Sequence, residues 1–129
     1  MTQGTVYIVQ EPPPVRNVHT GKSIMKDLSS AQRYGRLMML LGSSDQASLT
    51  PGPCLFQLQK GLRDFNPNED YVCFAGGDPM SLALAMLVLR DYGFKEVQTL
   101  RWDRERGVDG ERKPGGFYSP VTTPLRPHA

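Results

Sequence analysis

Cysteine and histidine are scarce in this 129-residue chain, with two of each. Cys54 and Cys73 fall on different expected elements, and neither a CxxC pair nor a histidine cluster accompanies them. That excludes a disulfide scaffold and a zinc site, and both thiols read as small core hydrophobes. His19 and His128 lie in irregular segments without a carboxylate partner, so neither qualifies as a catalytic base. Long apolar runs are missing too. The run over residues 79–89 is about half of what a bilayer requires, and no basic-then-apolar leader opens the chain, so the expectation is a soluble, intracellular protein with no membrane partner. A surplus of charge is also lacking: a net charge of +2 is too small for a broad nucleic-acid footprint. No serine sits in a GxSxG elbow, and no GxGxxG or GxxxxGK[ST] loop occurs.

What is present is concentrated in residues 69–103, which contain YVCFAGGDPMSLALAMLVLRDYGFKEVQTLRWD. This reads as a strand, a glycine turn, an almost wholly apolar helix and a second strand. A unit of this length is a parallel crossover, and its helix must be covered on most sides. Residues 5–11, TVYIVQE, form a first strand, closed by Pro12, Pro13 and Pro14, which lack the N–H that a ladder needs. The following basic segment reads as a loop. Asp27 or Ser29 can cap a short helix that ends at Gly35. RLMMLL over residues 36–41 reads as a buried strand. Thr50 and Pro51 start a helix whose Leu55, Leu58, Leu62 and Phe65 recur on one face. Strands over 71–75 and 95–102 flank the last helix, which Asp78 caps and Gly93 stops.

The order β-α-β-α-β-α-β specifies an α/β domain over residues 1–104. It would hold a small, mostly parallel four-stranded sheet with helices on both faces, Rossmann-like, in strand order 2-1-3-4. Residues 105–129 are rich in Gly, Pro and charge. They read as an irregular tail in which Phe117 and Tyr118 pair as a short edge hairpin near Arg104, with disorder beyond.

Two constellations could carry chemistry. Open α/β sheets bind ligands beyond the carboxyl ends of their strands. There the chain places Glu11, Gly76, Gly77, Asp78 and Asp103. Three carboxylates on one rim suit a magnesium ion and a phosphate-bearing substrate. The pattern is loosely similar to Toprim domains, but those place Asp-x-Asp after the third strand, where this chain has one Asp followed by Pro. The glycine turn could alternatively cradle a phosphate, although Pro79 removes a donor and Asp78 puts a negative charge there. The same residues are explained without any ligand or cofactor if Asp78 caps a helix, Glu11 precedes the proline turn and Asp103 pairs with Arg101 or Arg104. The second constellation is basic and aromatic: Arg16, Lys22, Arg101, Trp102 and Arg104 suit single-stranded nucleic acid. Asp103 and Glu105, interspersed among them, fit a solvated charged surface equally well.

VYIVQE at 6–11, DLSSAQRYGRLMMLL at 27–41, LTPGP at 49–53, and GGDPMSLALAM followed by LRWDRE together resemble a group of short tailed-bacteriophage proteins. The resemblance covers residues 5–105. It implies a phage-encoded protein in the cytoplasm of a bacterial host and brings no assigned activity, hence no catalytic residues. The resulting expectation is a non-enzymatic accessory protein that binds a host or phage protein. A phosphate enzyme, a nucleic-acid-binding replication accessory and a minor virion component are the alternatives. Oligomeric state has no signature in the sequence.

Overall fold

Alternating apolar segments and turn residues produce a single main sheet in the structure, a computed structural model that describes residues 4–16, 20–21, 23–24, 28–103 and 117–127. The elements in chain order are β1 (Thr5–Gln10), β2 (Val15–Arg16), β3 (Ser23–Ile24), α1 (Ser29–Gln32), β4 (Arg36–Leu41), α2 (Pro51–Gly61), β5 (Tyr71–Cys73), α3 (Pro79–Asp91), β6 (Glu96–Asp103) and β7 (Phe117–Pro124). The main sheet has the order β4-β1-β5-β6-β7. Its first four strands are parallel, with Ile8 opposite both Met39 and Cys73, and Cys73 opposite Leu100. That is the order expected from the sequence.

The strand number is a correction: the sheet has five strands, not four. β7 runs antiparallel to β6 along its whole length, from Asp103 opposite Phe117 to Glu96 opposite Pro124. Its two prolines, Pro120 and Pro124, argue against a central strand but are admissible at an edge. The segment after Pro14, read as a loop, contains the small antiparallel pair β2–β3.

Strand pleating sends alternate side chains to opposite faces, so two cores form. On one face Tyr7, Val9 and Val97 pack beneath α2 and α3, which contribute Leu58, Leu62, Val88 and Leu89. Tilted aromatic contacts join Tyr7 to Phe65 and Phe65 to Phe94, with centroids 5.6 and 5.7 Å apart. On the other face Val6, Ile8, Cys73, Leu100 and Tyr118 pack with Ala31 of α1. The Ser30 hydroxyl accepts from the Tyr118 N–H at 3.1 Å and ties α1 to the added strand.

Two local expectations differ from what is observed. β4 lies at the sheet edge, and only Leu40 and Leu41 of its six residues are buried. Thr50 occupies the N-cap position of α2 without capping it; its hydroxyl donates back to the Gln46 carbonyl at 3.0 Å.

Candidate functional site

The carboxyl rim of the parallel strands is where a ligand would be sought, and its organiser is Gln10, the last residue of β1. Gln10 is 1% exposed, and a buried amide must find partners. Its Nε2 donates to the Gly42 carbonyl at 3.1 Å and the Asp45 carbonyl at 2.6 Å. Its Oε1 accepts from the Asp78 N–H at 2.8 Å. One side chain therefore joins the loops that follow β4 and β5. Gly77, at φ +99°, is adjacent: a Cβ there would collide with the Gln10 amide.

Asp78 completes the junction. Its carboxylate accepts from the Ser48 N–H and hydroxyl, both at 2.8 Å, and caps α3 through the Met80 N–H at 3.0 Å. The Ser81 N–H and hydroxyl bond to the Asp78 carbonyl at 2.9 and 2.6 Å, and Pro79 has no N–H to offer. Those contacts engage the backbone donors at the start of α3 that an incoming phosphate would need. Glu11 follows β1 on the same rim, and its N–H donates to the Leu41 carbonyl at 2.8 Å. Among the described residues, no group of three or more His, Cys, Asp or Glu side chains comes together to hold a metal ion. Asp103 ends β6 on this rim, but its side chain lies outside what the structure describes.

A family model described as Phage Pam3 gp32-like protein matches residues 4–109. The chain belongs to the Phage Pam3 gp32-like protein family. A phage family is what the sequence motifs implied. None of the curated proteins and none of the solved structures compared with the chain matches it. The part shared with the Pam3 gp32-like family runs from β1 through β6 and contains the Gln10–Asp78 junction and all of β4; β7 follows it. No helix among the described residues is long and apolar enough to cross a membrane.

Of the basic and aromatic candidates in this Pam3 gp32-like chain, the structure describes the side chains of two, Arg101 and Trp102, and these do not share a face. Arg101 and Trp102 are neighbours on β6, so the pleat points them to opposite sides of the sheet. Trp102 is half-buried in the α1-side core and stands edge-on to Tyr118, with centroids 4.9 Å apart. Lys22, Arg104 and the Arg16 side chain lie outside the described residues.

Sequence reading did not identify Gln10, Ser48 or Asp45 as rim residues, nor a second feature on the outside of β4. There Met38 and Met39 are 39% and 42% exposed, and Phe56 of α2 is 68% exposed. With Pro53, Lys60 and Gly61 they line an open depression of about 500 Å³. Phe56 could have been flagged: it stands one position off the core-facing stripe of half-buried Leu55 and buried Leu58 and Leu62.

Asp78 provides a pH test of the junction. Hydrogen bonding, first from the Ser48 hydroxyl and then from the Ser48 and Met80 N–H groups, holds its carboxyl below the ordinary value. The folded pKa lies under the unfolded one, near ~3.9. Its contribution is therefore complete above the unfolded value and disappears as pH falls through the folded one. Asp78→Asn, which retains a capping oxygen, is expected to melt a few degrees below the wild type at neutral pH. The gap should narrow as pH falls below the ordinary aspartate value and vanish once the folded carboxyl is protonated; thermal unfolding followed across that range measures it.

Proposed function

We propose that this Phage Pam3 gp32-like protein is a non-enzymatic accessory module, acting in the host cytoplasm by binding a host or phage protein. The observation that carries the reading is the pairing of exposed Met38, which the pleat sends to the α2 side of β4, with exposed Phe56 of α2 across one open depression. Grouped apolar exposure rimmed by polar residues is characteristic of a protein-contact surface, whereas scattered single residues are not. Methionine adds to this, because its unbranched, polarisable chain adapts to a partner. A further support is the internal use of the rim: Asp78 is already satisfied by Ser48 and Met80. A catalytic carboxylate would need room for a substrate in that position.

The test is co-purification of the tagged protein from phage-infected host cells, against an unrelated tagged control. One protein enriched with the wild type and lost with the double variant Met38→Lys/Phe56→Ser is the expected result. Both positions are exposed, so the variant should fold. Enrichment of nothing over the control contradicts the proposal.

A further inference from the structure

Given that reading, we propose that the partner contributes an extended acidic segment with alternate apolar side chains, which docks as an added strand on the outer edge of β4. The two edges of the sheet are chemically unlike. β7 carries Pro120 and Pro124, which interrupt the N–H row that a further strand would need. β4 is RLMMLL, with no proline, and among the described residues no strand lies beyond it. A strand added to a sheet edge gains affinity through main-chain bonds and specificity from side-chain pockets on alternate residues.

The side-chain pocket is present next to this edge. α2 approaches β4 closely at Gly61, where a Cβ would lie 2.6 Å from the Leu40 Cδ2. Phe56, Pro53 and Met38 wall the depression outside that contact. Apolar side chains on every second residue of an added strand would point to this one side.

Charge selects the occupant. Lys60 lines the depression, Arg36 opens β4, and both are exposed. Neither side chain is ion-paired among the described residues, and no acidic residue lines the depression or belongs to β4. Cations along an edge oppose pairing with a like edge and favour carboxylates. A second copy of this chain would bring the same Arg36 and Lys60 and no acid from this face.

The experiment is an amide chemical-shift titration of the full chain by NMR. The probe is a blocked peptide of about eight residues, alternating valine and glutamate, with a valine–lysine counterpart as control. The expected result is shifts confined to residues 36–41 and 53–61 with the glutamate peptide. Binding should weaken about tenfold or more in Arg36→Glu/Lys60→Glu, with preference passing to the lysine peptide. The same spectra report whether that variant is folded. Absence of shifts at millimolar peptide, equal response to both peptides, or shifts elsewhere overturns the inference. Concentration-dependent shifts at β4 without peptide would identify a second copy as the occupant and overturn it as well. A partner that co-purifies with Arg36→Glu/Lys60→Glu as well as with the wild type would sink this inference and leave the interaction reading standing; an empty co-purification would sink that reading itself.

Discussion

Gln10→Leu is expected to lower the unfolding free energy by about 2–4 kcal/mol, a large share of what a domain of this size possesses. Leucine matches glutamine in volume, so the change removes hydrogen bonds with little effect on packing. Three protein groups lose their partner: the Gly42 and Asp45 carbonyls and the Asp78 N–H. The two carbonyls belong to half-buried residues and can recruit water. The Asp78 N–H, directed at the side chain of a residue that is almost fully buried, has less access to a replacement. Urea unfolding with an unchanged m-value measures the loss. A change below about 0.5 kcal/mol would mean that the junction is held by something other than this amide.

Gly77→Ala is expected to cost about 2–4 kcal/mol through two separable effects, φ strain and collision. An alanine at φ +99° is strained wherever it sits. Here its Cβ would also lie 2.5 Å from the Gln10 Cδ and 3.0 Å from its Cγ. Gly93→Ala isolates the first effect, since Gly93 has φ +97° and open space around it. It should cost about 1–2 kcal/mol. Combining Gly77→Ala with Gln10→Ala removes the colliding group, so the double variant should be less damaged than the sum of the singles by about 1 kcal/mol or more. Strict additivity would show that the two residues do not touch in solution.

Much of the fold was legible because local and global signals agreed. The Asp-Pro step at residues 78 and 79 declared a capped helix, and the Asp78 side chain caps α3 as the sequence suggested. The stripe from Leu55 to Phe65 declared an amphipathic helix, and Leu58, Leu62 and Phe65 are buried. β7 was harder to see. Pro120 and Pro124 weaken the strand pattern of FYSPVTTP, and its stability comes from pairing with β6, a long-range contact that no local window contains. Gln10 was invisible for a related reason. A glutamine at the end of an apolar strand reads as the return to solvent, and only the meeting of the loops after β4 and β5 makes it a buried organiser. Met38 and Met39 misled in the opposite sense. Their apolar run signals burial, but the sheet ends at β4, and residues buried on a central strand are half-exposed on an edge one.

The measurement that tests the interaction account most directly is amide hydrogen exchange of the co-purified complex compared with the free protein. Slowed exchange in residues 36–41 and 53–61, with residues 76–81 unchanged, is the predicted result. Protection centred on residues 76–81, with the β4 edge exchanging as in the free protein, would contradict it and return attention to the carboxyl rim of the sheet.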